Sequence, residues 1–186
     1  MSEHDAIPNT NNSAYLASLT VAEKTINQII AFKTSKLPSN ESLLRIPFRS
    51  LDQWFEEDAP IAVHPKDPYK RIDILPSSRP IKIALDGVTL AESSNPVFLL
   101  ETGLRPRYYF PRTSVNWEYL KKSDTETFCP YKGMANYYHA VVNGKEYRDV
   151  VWYYSFPTLE SAGIAGLCCF YNERVDVWVG GVKEGK

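Results

Sequence analysis

Cysteine and histidine, the side chains that hold most structural metals, are scarce in this sequence. Its 186 residues include 3 Cys and 3 His, and no two cysteines form a C-x-x-C pair. The sequence therefore offers neither a zinc knuckle nor a thioredoxin-type redox pair, and we expect no metal and no cofactor. Adjacent Cys168 and Cys169 lie in an extended apolar run, so their side chains should face opposite sides of a strand and be buried.

Basic clusters and long apolar runs are also missing. The chain has 21 Lys and Arg against 22 Asp and Glu, with no basic block longer than pairs such as Lys121-Lys122. Nucleic-acid binders rely on a basic face, so we expect no nucleic-acid partner. No run approaches the roughly 18 apolar residues of a membrane span, and residues 1–15 do not have the pattern of a signal peptide. We expect no membrane association and a cytoplasmic location.

Aromatic residues, in contrast, are plentiful. They make up 13% of the chain, with 12 Tyr and 4 Trp, and hydrophobic residues make up 44%. A complete core can be built from this composition. Tyr and Trp are also useful where a core meets a polar cavity or a partner.

The N-terminal residues predict an extension that ends at residue 44. Residues 1–14 are polar and are predicted to be disordered. The motif TVAE at 20–23 fits a capping box, and Ile26, Ile29 and Ile30 follow at helical spacing. We predict a helix over 21–34, packed on the main domain.

A second capping motif, SLDQ at 50–53, predicts a short helix that carries Trp54 and Phe55. From Pro80 onward the period changes to two, which is typical of strands. The predicted strands are 81–85, 88–91, 97–100, 107–110, 134–142, 145–154, 167–171 and 174–179. A helical turn is expected at 116–121.

Hairpin turns such as Asn143-Gly144 favour a compact antiparallel, mainly β domain over 45–182, with a tail at 183–186.

Several motifs carry a family resemblance. They are HPKDPYKR (64–71), RYYFP (107–111), CPYKG (129–133), ANY (135–137), WYY (152–154), IAG (164–166) and FY (170–171). In this order, over about residues 45–182, they resemble the domain-of-unknown-function family 427, sometimes labelled nucleotidyltransferase-like. The resemblance implies the tent-like β fold of methionine-R-sulfoxide reductases and of the cereblon ligand domain, with a pocket on the open sheet face.

Two properties of such relatives are not carried over to this chain. The zinc of the tent-like domains needs paired cysteines, which are missing here. The sequence also does not support the transferase label, because it contains no glycine-rich phosphate loop and no Asp-x-Asp pair.

Four residues are candidates for catalysis. Lys132 lies in a turn before Gly133, where aromatic neighbours would exclude water from its side chain. Such a lysine can act as a base, a Schiff-base nucleophile or an anion clamp. The alternative is a solvated turn lysine. Glu160 is a candidate partner of Lys132 or a proton-transfer group. Tyr109 supplies a phenol, and His64 is a natural proton shuttle.

Four further residues are candidates for substrate binding. Arg107 is suited to bidentate recognition of a carboxylate or phosphate. Trp152 and Tyr154 share one face of a strand, and the hairpin turn brings Tyr137 of the partner strand beside them. The sequence leaves open whether this face is core or pocket.

These residues favour a cofactor-independent enzyme that acts on a small organic molecule, such as an isomerase, lyase or cyclase. The alternative is a non-catalytic module that binds a small molecule or a partner. A nucleotidyltransferase is less favoured, and a homodimer stays open.

Overall fold

The computed structural model describes residues 4–6, 14–33 and 42–185. The chain divides into two compact units, Met1–Ile61 and Ala62–Lys186. This division falls inside the segment that the sequence assigned to one β domain. The described residues are mainly β, and every strand pairing is antiparallel, apart from an isolated parallel bridge between Tyr154 and Ala165.

The first unit contains a four-stranded sheet and a small hairpin. The sheet has the order β1-β2-β3-β4, and β5 pairs with β6. The strands are β1 (His4–Ala6), β2 (Ala14–Val21), β3 (Lys24–Lys33), β4 (Ser42–Arg45), β5 (Trp54–Glu56) and β6 (Ala59–Ile61). A 3-10 turn spans Phe48–Ser50. The disorder predicted over residues 1–14 was wrong for His4–Ala6, which form β1, and for Ala14, which begins β2. Residues 1–3 and 7–13 lie outside the described residues.

The helix predicted over 21–34 was wrong, and a β-bulge explains the misleading spacing. Ala17 pairs with Ile29 and Leu19 pairs with Ile26, so β3 holds one residue more than β2 in this interval. Asn27 and Gln28 therefore lie opposite the single residue Ser18, and the φ of Gln28 is 64°. Because a bulge shifts the alternation by one residue, Ile26 and Ile29 reach the same apolar cluster although they are three positions apart.

The short helix predicted around Trp54 was also wrong. Trp54 and Phe55 belong to β5, and the Trp54 Nε1 donates to the Phe48 carbonyl at 2.7 Å. Trp54 also stacks on Phe48 with ring centroids 5.4 Å apart. A capping motif stabilises a helix only if enough helical residues follow to offset the cost of nucleation, whereas here Trp54–Glu56 pair with Ala59–Ile61 in a hairpin.

The second unit packs a seven-stranded sheet on a four-stranded one. Their orders are β12-β13-β14-β15-β11-β10-β7 and β17-β16-β8-β9. The strands are β7 (Ile72–Pro76), β8 (Ile81–Leu85), β9 (Val88–Ser93), β10 (Val97–Glu101), β11 (Arg107–Phe110), β12 (Leu120–Cys129), β13 (Gly133–Val142), β14 (Lys145–Tyr153), β15 (Cys168–Phe170), β16 (Asp176–Val179) and β17 (Val182–Lys183). Short 3-10 segments span Arg112–Ser114, Trp117–Tyr119 and Leu159–Ile164. None of the described helices is long and apolar enough to cross a bilayer.

The large sheet is apolar on both faces. One face joins the small sheet in a core that includes Ile83, Phe110 and Cys168. The opposite face carries a second buried cluster that includes Tyr109, Trp152 and Cys169. The two cysteines are fully buried on opposite faces, which confirms the prediction from their adjacent positions.

Candidate functional site

A half-open pocket of about 150 Å³ lies on the outer face of the seven-stranded sheet. Residues two positions apart on a strand face the same side. Three such pairs line the pocket, namely Leu99 with Glu101, Arg107 with Tyr109, and Trp152 with Tyr154. The lining residues are Leu99, Glu101, Leu104, Arg105, Arg107, Tyr109, Lys132, Tyr137, Trp152, Tyr154 and Tyr171. Tyr137 and Trp152 are direct cross-strand neighbours in the β13–β14 hairpin.

The structure brings together six of the eight residues singled out from the sequence. They are Lys132, Tyr109, Arg107, Tyr137, Trp152 and Tyr154. The aromatic face that the sequence left open between core and pocket serves as both, because buried rings form the wall of the cavity.

Glu160 and His64 do not line this pocket. Glu160 lies at the start of a 3-10 segment and accepts from Lys66 Nζ at 2.7 Å, with both side chains nearly half exposed. The expected pairing of Glu160 with Lys132 was therefore wrong. His64 is exposed, and its Nδ1 lies 2.7 Å from the Pro65 carbonyl oxygen.

The partner of Lys132 is Glu101, the last residue of β10. Lys132 Nζ donates to Glu101 Oε2 at 2.5 Å, and their side chains are only 12% and 7% exposed. Lys70 Nζ lies 3.8 Å from Glu101 Oε1, which is beyond hydrogen-bond distance. Sequence reasoning missed Glu101, although its position two residues after the apolar Leu99 could have indicated that it faces inward.

Three phenols of the aromatic wall, those of Tyr109, Tyr154 and Tyr171, have raised pKa values. Tyr109 is fully buried and accepts a hydrogen bond from Trp152 Nε1 at 3.1 Å. Burial raises the pKa of Tyr109 and that of Tyr154 well above the ordinary value. Burial and a hydrogen bond with Tyr137 raise the pKa of Tyr171 to about 12. At neutral pH these hydroxyl groups are neutral.

Arg107 is held inside the protein by a bidentate ion pair. Its Nη1 and Nη2 donate to Glu173 at 2.9 and 3.0 Å, and its guanidinium lies 5.5 Å from the centre of the Trp152 ring. Burial is the largest single influence and lowers the pKa of Arg107, but the hydrogen bond to Glu173 together with the attraction of Cys169, Glu173 and Tyr171 outweighs it, so the pKa is raised. Both Nη groups are therefore already engaged, and Glu173 takes the place of the carboxylate that Arg107 was predicted to bind.

The Glu101 carboxylate is a group of the kind that can accept and donate a proton. Glu101 is the only carboxylate among the lining residues of the pocket. No hydrogen bond reaches its Oε1 from the described part of the chain, and no buried side-chain oxygen there lacks a partner. Oε1 is therefore not fully enclosed, and Glu101 lines both this pocket and a neighbouring one that is formed with Arg71 and Thr102. No group of three or more His, Cys, Asp or Glu that could hold a metal ion occurs among the described residues.

Comparison with known proteins adds a family. The family described as a domain of unknown function (DUF427) matches residues 73–181, which is more than half of the 186 residues. The match includes every residue that lines the pocket. No curated protein matches the chain.

Proposed function

The chain belongs to the DUF427 family, and we propose that it is a cofactor-independent enzyme that acts on a small organic molecule by proton transfer. The observation that carries this proposal is the Glu101–Lys132 pair at the edge of an aromatic cavity. Isomerase, lyase and cyclase reactions all fit such a site.

In the proposed reaction, Glu101 Oε1 removes a proton from a substrate carbon next to a carbonyl group. Negative charge then develops on the carbonyl oxygen, where the Lys132 ammonium and a neutral phenol stabilise it. Glu101 returns the proton to another carbon in an isomerisation, or the electron pair expels a leaving group in a lyase reaction. Stabilisation is effective because a largely buried site has a low effective dielectric constant.

A non-catalytic binding module is the second candidate, and one observation favours it. The most buried charged groups of the site already have partners, in the pairs Lys132–Glu101 and Arg107–Glu173. A rigid cavity with engaged charges can recognise a ligand without reacting with it.

Nucleotidyl transfer has less support. The cavity of about 150 Å³ is smaller than the roughly 300–1,000 Å³ of sites for drug-sized ligands. A nucleoside triphosphate would have to extend well beyond it.

The fold that we propose with this function is the tent-like β fold. Two antiparallel sheets with a pocket on an outer face support it. The cytoplasm remains our proposed location, since the three cysteines are free thiols, as is usual in reducing compartments.

The test is a metabolite screen followed by an assay for turnover. Specific ligands of the native protein raise its melting temperature, and NMR then shows whether each hit is converted. Conversion supports an enzyme, whereas hits that bind and stay unchanged support the binding module.

A matched pair of variants assigns the hits to the pocket. Leu104→Trp narrows the rim at a residue that is 56% exposed, and Leu43→Trp adds the same ring in the first unit at a residue that is 54% exposed. Only Leu104→Trp should abolish the thermal shifts. Shifts that persist in Leu104→Trp would place the ligand elsewhere.

A further inference from the structure

The pocket has more positive than negative charge. Three cations line it, namely Arg105, Arg107 and Lys132, and Lys70 contacts its carboxylate. Against these four stand two carboxylates, Glu101 of the lining and Glu173 behind Arg107. Four positive and two negative charges leave a surplus of two. A cleft with an excess of one sign attracts ligands of the opposite sign.

Arg105 is the cation best placed to use this surplus. It lies in the loop between β10 and β11, at the rim of the pocket, and its Nη2 donates to the neutral carbonyl of Gly185 at 2.8 Å. Within the described residues, Arg105 forms no ion pair with a carboxylate, in contrast to Arg107 and Lys132. A planar guanidinium with unused N–H groups is suited to a carboxylate of a ligand.

The size and the walls of the cavity restrict the rest of the ligand. A volume of about 150 Å³ is close to that of an engineered apolar cavity that binds benzene. Rings of Tyr109, Trp152 and Tyr171 form much of the wall, and Leu99 and Leu104 add apolar contacts. Aromatic walls favour flat, unsaturated groups, which they contact in stacked or edge-on geometry.

From the surplus charge, the available guanidinium and the ring-sized cavity, we propose that the substrate is a small planar carboxylic acid that binds as its anion. Arg105 holds the carboxylate at the rim, and the unsaturated body lies against the aromatic wall, where Glu101 and Lys132 act on it. This inference rests on the proposed function, because it names the substrate class of the same site.

The experiment measures binding of four probes by calorimetry at low salt: benzoate, its neutral isostere benzamide, the non-planar cyclohexanecarboxylate, and phenyl phosphate. Benzoate should bind at least tenfold more tightly than benzamide and more tightly than the other two. Arg105→Gln should weaken benzoate binding at least tenfold. Arg148→Gln, at a highly exposed arginine beside Glu146 that does not line the pocket, is the matched control and should leave the affinity unchanged.

Several results would overturn the inference. They are equal affinity for benzoate and benzamide, tighter binding of phenyl phosphate or cyclohexanecarboxylate, unchanged benzoate affinity in Arg105→Gln, or no binding of benzoate at all. Failure of the proposed function looks different. If planar carboxylates bind through Arg105 but none is ever converted, the substrate class stands as a ligand class, and the enzyme is excluded.

Discussion

Replacing Lys132 with methionine tests whether the Lys132–Glu101 pair is a buried ion pair. Methionine keeps most of the stem volume and removes the charge. The Glu101 carboxylate, whose side chain is 7% exposed, then loses the ammonium group that donates a hydrogen bond to it. A buried charge without a partner is strongly destabilising, since it has lost its hydration without compensation.

The expected magnitude follows from burial and from the position of Lys70. Removal of one partner of a buried pair costs about 3–5 kcal/mol. Lys70 Nζ stays 3.8 Å from Glu101 Oε1 and keeps part of the attraction, so we expect the lower end, about 3 kcal/mol. For a chain of this length, that lowers the melting temperature by about 6–12 °C.

Two further variants separate this effect from a general one. Lys66→Met makes the same change in the Lys66–Glu160 pair, whose side chains are 43% and 46% exposed, and it should cost no more than about 1 kcal/mol. Combining Lys132→Met with Glu101→Gln removes both charges and should restore stability to within about 1 kcal/mol of the wild type. Calorimetric melting measures all four proteins. If Lys132→Met proved as mild as Lys66→Met, Lys132 would be a solvated turn lysine and the burial argument would be refuted.

Three other predictions concern residues outside the pair. Burial opposes ionisation of Asp149, but hydrogen bonds from Ser123 and Thr125, with the attraction of His139 and Arg174, outweigh burial and lower the pKa of Asp149. The Asp149 carboxylate therefore stabilises the folded state above about pH 4, and this stabilisation is lost as the pH falls further. The melting temperature of the wild type should fall more steeply below about pH 4 than that of Asp149→Asn, and parallel curves would contradict this. A maleimide should label only the half-exposed Cys129 in the native protein, because the other two thiols are buried and have raised pKa values; mass spectrometry counts the labels, and more than one would be evidence against the fold. Gly133→Ala should destabilise by about 1–3 kcal/mol, since φ is 95° and the added Cβ would lie 3.2 Å from the Phe156 carbonyl oxygen; an unchanged urea midpoint would refute the strained turn.

The strands with clear alternation were predictable, and the edges of the large sheet were not. Segments such as 81–85 and 107–110 were assigned with their observed bounds, because each is a short, mostly apolar run next to turn residues, namely Asp86-Gly87 and the prolines at 106 and 111. The edge strands β7 and β12 were missed. β12, with the sequence LKKSDTETFC, carries mostly polar side chains, as edge strands commonly do to avoid aggregation, so its periodicity is weak.

The candidate site was predictable where residues lie on strands and not where they depend on long-range contacts. The alternation of side chains along a strand places Trp152 and Tyr154 on the same face. The hairpin then places Tyr137 directly opposite Trp152. The partner of Lys132 could not be read in this way, because Glu101 is 31 residues away in sequence. Glu160 is closer in sequence but belongs to a segment that is bonded to Lys66 instead.

The central claim is that Glu101 transfers a proton within the aromatic pocket. The most direct measurement is the rate at which the wild type and Glu101→Gln incorporate solvent deuterium into a carboxylate ligand from the screen, followed by NMR in D₂O. General acid–base groups contribute about 10²–10⁴-fold to rate, so the variant should exchange at least about 100-fold more slowly while its affinity for the ligand changes little. Exchange at the same rate in both proteins, or none in the wild type with any bound ligand, would contradict the claim.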